Sequence, residues 1–132
     1  MDHVVFACVH NAGRSQMAAA WFNRIADGTK ASAVSAGTQP SDHVHPIVVE
    51  AMKEKGFDLS KAEPRKLTTD LASGAALLIT MGCGESCPYI PGVPVLDWPL
   101  ADPKGQGIEP VRVIRDEVET RVRALVKEKG WA

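Results

Sequence analysis

The sequence lacks the charge surplus and the long apolar runs that several classes of protein need. Its 132 residues include 15 Lys and Arg against 16 Asp and Glu, which gives a formal net charge of −1. Binding to nucleic acid or to an anionic membrane requires a basic surface, so neither partner is predicted. No apolar run approaches the length of a membrane span, and the N-terminal residues before the first predicted strand do not form a signal peptide. We therefore expect a cytoplasmic protein.

Cysteine is scarce as well, with three residues in the whole chain. Cytoplasmic thiols stay reduced unless they are catalytic, so these cysteines are candidates for chemistry. Cys8 lies near the N-terminus, whereas Cys83 and Cys87 share the segment Met81-Gly82-Cys83-Gly84-Glu85-Ser86-Cys87-Pro88. Buried or accidental thiols are the alternative interpretation, but a glycine-flanked loop is a poor place to bury a side chain.

What is present is an ordinary globular composition, with 45% hydrophobic and 23% charged residues. The length fits one domain, residues 1–132. Apolar runs predict strands at 3–7, 32–36, 75–80 and 93–96, and helical periodicity predicts helices at 14–27, 45–55 and 109–129. This alternation is typical of an α/β fold in which helices cover both faces of a four-stranded parallel sheet.

The predicted elements also locate a binding edge and a solvated helix face. In open α/β sheets ligands bind beyond the carboxyl ends of the strands, so the loops 8–14, 81–92 and 97–107 are expected to meet. The last helix carries an apolar stripe, and its charged residues are expected to face water. These charged residues are Arg115, Asp116, Glu119, Arg123 and Lys127.

The segment Cys8-Val9-His10-Asn11-Ala12-Gly13-Arg14-Ser15 joins the first apolar strand to the first helix. Amide N–H groups and the dipole at a helix N-terminus favour an anion, and they equally favour a thiolate at Cys8. Arg14 presents a planar fork for two oxyanion oxygens, Ser15 can donate to the thiolate, and Gly13 allows the backbone to turn. Residues 8–15 are therefore predicted to form an oxyanion cup around a nucleophile. The alternative is a buried Cys8 beside a surface Arg14.

The segment from Cys8 to Ala18, CVHNAGRSQMA, resembles the phosphate loop of low-molecular-weight protein tyrosine phosphatases and of the arsenate reductases that share their fold. The similarity covers nearly the whole chain, through the segments VSAGT at 34–38, AMKEKG at 51–56 and DWPLADP at 97–103. The resemblance implies a flavodoxin-like domain of this family, and a monomer is the default for so compact a fold.

The resemblance further implies reduction of arsenate, for which phosphate or sulfate would be a mimic. Cys8 attacks arsenic, Arg14 and the loop amides hold the developing charge, and Asp102 protonates the departing oxygen. Cys83 then forms a disulfide with Cys8 and releases arsenite, and Cys87 moves that disulfide to Cys83–Cys87. Thioredoxin typically reduces the final disulfide in such relatives, although glutaredoxin or a small thiol would also reach it. No metal or organic cofactor is needed.

Several alternatives remain open from the sequence. Asp97 competes with Asp102 as the acid, and the family pattern favours Asp102. Asn11 either steadies the loop by hydrogen bonds or tolerates an unusual backbone conformation. His10 is expected to point away from the anion, and the other histidines, at positions 3, 43 and 45, are expected at the surface without a role.

Two other functions and a metal site compete with the reductase. A phosphatase needs only Cys8, Arg14 and Asp102. The phosphatases that the chain resembles usually have paired tyrosines after their Asp-Pro to bind an aromatic substrate, whereas this chain has one tyrosine and none directly after Asp102-Pro103. A non-catalytic oxyanion-binding protein is a third possibility. A zinc site would use Cys8 with His10 and the other two cysteines, and the lack of a second compact ligand pair argues against it.

Overall fold

The computed structural model describes residues 1–82 and 90–132. The strands are β1 (Asp2–Cys8), β2 (Ala31–Gly37), β3 (Leu77–Thr80) and β4 (Val95–Asp97). The helices are α1 (Arg14–Ile25), α2 (Pro46–Lys53), α3 (Thr69–Ala72) and α4 (Ile108–Lys129). In this part of the chain, no helix is both long enough and apolar enough to cross a membrane.

The four strands form one parallel sheet in the order β2-β1-β3-β4. β1 is central, with all of Val4 to Ala7 fully buried, which is typical of a parallel strand covered on both faces. The register pairs Cys8 with Gly37 and Ala7 with Thr80, so the carboxyl ends of three strands lie side by side. The predicted four-stranded parallel sheet is confirmed.

Two hydrophobic clusters cover the two faces of the sheet. Alternate residues of β1 divide between them, since Val4 and Phe6 join one cluster and Val5 and Ala7 join the other. The first cluster contains the apolar sides of α1, α2 and α4. The second is smaller and contains Ala72 of α3 and buried residues from the loops around the strands. The β1 strand is therefore packed on both faces.

The element boundaries differ from the predictions by a few residues, and one helix was missed. α3 has four residues, too few for a helical periodicity to be visible in the sequence. Its N-cap is Thr68, whose hydroxyl accepts a hydrogen bond from the amide of Leu71 at 3.1 Å. The strand predicted at 75–80 begins at Leu77, and the helix predicted at 45–55 ends at Lys53.

The prediction that Arg115 faces water was wrong. Arg115 is 5% exposed, and its guanidinium donates to the carbonyl of Ala51 at 2.8 Å and to Glu54 at 2.7 Å. These acceptors lie at the end of α2, which packs against α4. Whether a residue at the border of an apolar stripe is buried depends on where a second helix packs. The stripe in the sequence does not show the position of that helix.

Candidate active site

The loop between β1 and α1 places a thiol beside a hydroxyl. Cys8 ends β1 and is 2% exposed, and Ser15 lies in the first turn of α1 with no exposed surface. The Cys8 Sγ and Ser15 Oγ atoms are 2.9 Å apart. A hydroxyl at this distance can donate a hydrogen bond to a thiolate. The predicted proximity of Ser15 to Cys8 is confirmed.

The carbonyl groups of the loop point toward the segment 38–45. The four backbone hydrogen bonds are Thr38 N–H to Cys8 O at 3.2 Å, Gln39 N–H to Val9 O at 2.8 Å, Ser41 N–H to His10 O at 3.0 Å and His45 N–H to Ala12 O at 2.9 Å. In a trans peptide the N–H points opposite to the C=O, so the following amides point away from this segment. Within the described part of the chain, none of the amides of residues 10–13 donates to a protein acceptor. These donors are therefore available to an anion.

Asn11 both adopts an unusual backbone conformation and forms hydrogen bonds within the loop, the two roles that the sequence left open. Its φ is 50°, in the left-handed region that asparagine tolerates better than most residues. Its Nδ2 donates to Ser15 Oγ at 2.8 Å, and its Oδ1 accepts from the Arg65 amide at 3.0 Å and from Gln16 Nε2 at 3.2 Å. The side chain therefore holds both its own strained backbone and the hydroxyl next to Cys8.

Glycine at position 13 permits a close approach of Pro103 to the loop. A Cβ at this position would lie 2.6 Å from Cγ of Pro103. Gly13 is the N-cap of α1, and in the described residues no side chain caps that helix. The backbone N–H groups in the first turn of α1 thus have no side-chain cap. Pro103, which follows Asp102, packs against the loop at Gly13.

Arg14 contacts described residues from both of the other loops that were predicted to meet at this sheet edge. Its side chain is 8% exposed, and Nη1 donates to the carbonyl of Leu100 at 3.2 Å. Nη2 lies 3.8 Å from Asp102 Oδ2, and the backbone of Gly82 passes close to the guanidinium. The arginine is therefore buried and fixed at the mouth of the Cys8 loop.

The two competing aspartates occupy different environments. Asp102 is 45% exposed, and its Oδ1 accepts from the amide of Lys104 at 3.0 Å. Asp97 ends β4, and its Oδ1 accepts from the hydroxyl of Thr80 at 2.8 Å. Asp102 faces Arg14, whereas Asp97 is engaged in joining two strands, so the geometry favours Asp102 as the group beside the oxyanion site.

One histidine lies in the loop and another lies beside it. His10 Nδ1 lies 3.2 Å from the carbonyl of Gln39, on the side of the carbonyl groups. The prediction of a surface His45 without a role was incomplete, because His45 is half-buried, precedes α2 and donates its amide to the loop. Burial lowers the pKa of His45, and the nearby carboxylate of Asp102 opposes that shift. Its imidazole is therefore biased toward the neutral form.

Four contributors to the site were not identified from the sequence. Gln16 donates to both the backbone and the side-chain oxygen of Asn11, and Leu100 supplies its carbonyl to Arg14. A Cβ on Gly37 would lie 2.6 Å from Val9 O, and one on Gly82 would meet Arg14. Gln16 lies five positions after Asn11 and is close to it in the sequence, whereas the other three contributors act from distant parts of the chain.

Cys83 and Cys87 lie outside the described residues, so their predicted relay with Cys8 stays a prediction. Residues 1–82 and 90–132 contain no cluster of three or more His, Cys, Asp or Glu side chains that could hold a metal ion. The zinc alternative includes Cys83 and Cys87, and it therefore also extends beyond the described residues. Cys8 has no disulfide partner among the described residues.

The family model for low molecular weight phosphotyrosine protein phosphatases matches residues 3–130. The chain belongs to this family. The resemblance seen in the sequence is thereby confirmed for nearly the full length of the chain. The family match does not by itself choose between a phosphatase and a reductase.

Three similar proteins indicate the activity to consider. A protein of Halobacterium salinarum, provisionally named arsenate reductase, is 45% identical over 127 residues, which cover 93% of this chain and 89% of the relative. The glutaredoxin arsenate reductase of Synechocystis is 33% identical over 96% of this chain and 97% of its own length. The thioredoxin-dependent arsenate reductase of Corynebacterium glutamicum superposes with a TM-score of 0.81 and 40% identity. That alignment covers 97% of this chain and 61% of the Corynebacterium chain.

Proposed function

We propose that this protein reduces arsenate to arsenite, with Cys8 as the nucleophile. The observation that carries the proposal is the 2.9 Å contact between Cys8 Sγ and Ser15 Oγ at the open N-terminus of α1. This arrangement supports attack by a thiolate on a tetrahedral oxyanion. The similarity to relatives named arsenate reductases supports arsenate as that oxyanion.

The first step forms a bond between sulfur and arsenic. The Cys8 thiolate attacks arsenic in bound arsenate, and one oxygen departs as water after it takes up a proton. Asp102 supplies that proton, since its carboxyl group lies beside Arg14 at the mouth of the loop. Arg14 and the free amides of the loop hold the negative charge that develops on the remaining oxygens.

The second step transfers two electrons to arsenic. The thiolate of Cys83 attacks Sγ of Cys8, the sulfur–arsenic bond breaks, and its electron pair stays on arsenic, which leaves as arsenite. Cys87 then attacks Sγ of Cys83, frees the Cys8 thiolate and completes a Cys83–Cys87 disulfide. The support for this relay is the presence of both thiols in one short segment that follows β3 in the sequence.

An external dithiol returns the Cys83–Cys87 disulfide to two thiols. The names of the relatives point to two kinds of donor, thioredoxin for the Corynebacterium glutamicum protein and glutaredoxin for the Synechocystis protein. We propose thioredoxin, because the second disulfide of the relay gives a protein dithiol a target that does not involve the buried Cys8. We propose a soluble monomer as the working form for the assays.

The decisive experiment measures NADPH oxidation that depends on arsenate. Thioredoxin with its reductase is supplied in one arm, and glutathione with glutaredoxin and glutathione reductase in the other. The unchanged protein is expected to turn over repeatedly with thioredoxin, and Cys8→Ser, Cys83→Ser and Cys87→Ser are each expected to abolish turnover. Ser86→Ala is the matched control, because it changes the same segment without removing a thiol.

Hydrolysis of a small phosphate ester distinguishes the competing phosphatase function. This reaction needs Cys8, Arg14 and Asp102 but no second thiol, so weak hydrolysis is expected to survive Cys83→Ser and to disappear in Cys8→Ser. Ester hydrolysis without any arsenate turnover in either arm would contradict the reductase function and favour a phosphatase. Arsenate binding that persists in Cys8→Ser without either reaction would indicate a binding protein.

A further inference from the structure

Gly82 lies against the guanidinium group of Arg14 more closely than any side chain would allow. A Cβ built on Gly82 would lie 2.1 Å from Nη1, 3.1 Å from Cζ and 3.6 Å from Nη2 of Arg14. Its φ is +97°, in a region that residues with a side chain rarely adopt. Both the conformation and the contact therefore require glycine at this position.

Arg14 has little freedom to move away from such a contact. Its side chain is 8% exposed, Nη1 donates to the Leu100 carbonyl at 3.2 Å, and Nη2 faces Asp102 at 3.8 Å. Nη1, the atom nearest to a Cβ at position 82, is thus the same atom that makes the hydrogen bond to Leu100. A methyl group at position 82 would displace the guanidinium and break that hydrogen bond.

We propose that Gly82 is a positioning residue for Arg14 and thereby sets the affinity of the loop for tetrahedral oxyanions. The backbone of Gly82 forms one side of a slot around the guanidinium, and the carbonyl of Leu100 forms another. Bidentate recognition of an oxyanion depends on the orientation of the planar guanidinium, so a small displacement weakens binding. Gly82 also directly precedes Cys83 in the sequence.

This inference rests on the proposed oxyanion site, and its test uses inorganic phosphate so that it does not depend on arsenate turnover. Phosphate affinity is measured by calorimetry for the unchanged protein and for Gly82→Ala. The expected loss is roughly tenfold to a hundredfold, the value of one charge-assisted hydrogen bond. In arsenate assays the same substitution is expected to raise KM by a similar factor.

Gly74→Ala is the matched control for backbone strain. Gly74 has a φ of +77°, but a Cβ there would meet nothing within 4 Å. Both substitutions therefore impose the left-handed strain, and only Gly82→Ala adds the contact with Arg14. Gly74→Ala is expected to lower thermal stability while phosphate affinity stays unchanged.

A double-mutant cycle with Arg14→Ala separates positioning from a general structural effect. In the Arg14→Ala background, Gly82→Ala is expected to cause no further loss of phosphate affinity, and its loss of thermal stability should fall to that of Gly74→Ala. Equal affinities of Gly82→Ala and the unchanged protein would overturn the proposal, as would an equal loss in both backgrounds. Phosphate binding that does not depend on Arg14 would overturn both the role of Gly82 and the proposed oxyanion site. Normal phosphate binding without arsenate reduction would overturn only the proposed reductase function.

Discussion

At the scale of single residues, Asn11 is the main organiser of the loop between β1 and α1. It is the one residue other than glycine with a positive φ in the described part of the chain. Its side chain also bonds Ser15, Gln16 and the amide of Arg65. Strain that is held by three hydrogen bonds at a functional loop is typical of a preorganised site.

Substitution of Asn11 is predicted to separate backbone strain from hydrogen bonding. Asn11→Ala and Asn11→Gly both remove the side-chain bonds, but only alanine keeps the penalty of a left-handed conformation. Asn11→Ala is therefore expected to have a free energy of unfolding about 1–2 kcal/mol lower than Asn11→Gly, as measured by urea denaturation. Both variants should lose the reaction of Cys8. Equal stabilities would mean that the loop changes conformation in the alanine variant.

The two aspartates near the site are predicted to respond differently to substitution. Asp102→Asn removes the proposed proton donor and is expected to slow the first chemical step roughly 10²- to 10⁴-fold in single-turnover assays. Asp97→Asn is the control, since Asp97 bonds Thr80 and not the oxyanion loop. Asp97→Asn should lower the free energy of unfolding by about 1 kcal/mol and leave the rate of the first chemical step nearly unchanged. The reverse order of effects would assign the acid to Asp97.

At the scale of secondary-structure elements, an ion-pair network joins α2 to α4. Glu54, just after α2, accepts from Arg112 and from Arg115, and Arg112 also pairs with Glu109 within α4. Hydrogen bonds from Arg112 and then Arg115 lower the pKa of Glu54 from 4.5 to about 2. Since the folded protein holds the carboxylate form, this network stabilises the fold at neutral pH.

The α2–α4 network predicts a specific loss of stability in acid. The contribution of Glu54 is fully present above pH 4.5 and is lost as the pH falls toward 2, because the depressed pKa belongs to the folded state. Urea denaturation across this range should therefore show a smaller decline for Glu54→Gln than for the unchanged protein. Glu117→Gln, which affects a surface pair with Arg121 inside α4, is the control and should keep the steep decline. Identical slopes for all three proteins would contradict the assignment.

At the scale of the whole molecule, residues near the two ends of the chain are joined. Trp131 Nε1 donates to Asp2 Oδ2 at 2.9 Å, and its carbonyl accepts from the amide of Asp27 at 2.8 Å. Its ring packs edge-on against Phe22 at a centroid distance of 5.6 Å. Trp131 thus connects β1, the end of α1 and the end of α4 across the larger hydrophobic cluster.

Removal of this aromatic side chain is predicted to weaken the fold as a unit. Trp131 is 6% exposed, so Trp131→Ala should lower the free energy of unfolding by about 3–5 kcal/mol, with a single transition in urea. Trp131→Phe keeps most of the packing and loses the bond to Asp2, so a loss of about 1 kcal/mol is expected. Phosphate affinity at the distant Cys8 loop should stay unchanged below the transition. Two separate transitions would show that the C-terminal part of α4 unfolds independently.

The sequence by itself determined the order of the strands and of the three longer helices, the parallel sheet and the position of the Cys8-to-Arg14 loop. These features depend on local patterns: a continuous apolar run in β1, helical spacing in α1 and α4, and a thiol, a glycine and an arginine within seven residues. The meeting of three loops at one sheet edge followed from the rule that parallel strands share their carboxyl ends. Neighbouring residues are enough to establish such patterns.

Only the tertiary structure decided which partners complete the site. The Leu100 carbonyl and Gly82 enclose Arg14 from far along the chain, and Arg65 supplies an amide to Asn11 from 54 positions away. The burial of Arg115 likewise depends on where α2 ends against α4. Any residue type can supply a backbone carbonyl or amide, and a glycine in the sequence does not reveal which distant side chain packs against it. The packing of the elements brings these groups together, and it therefore determines how the predicted residues are held.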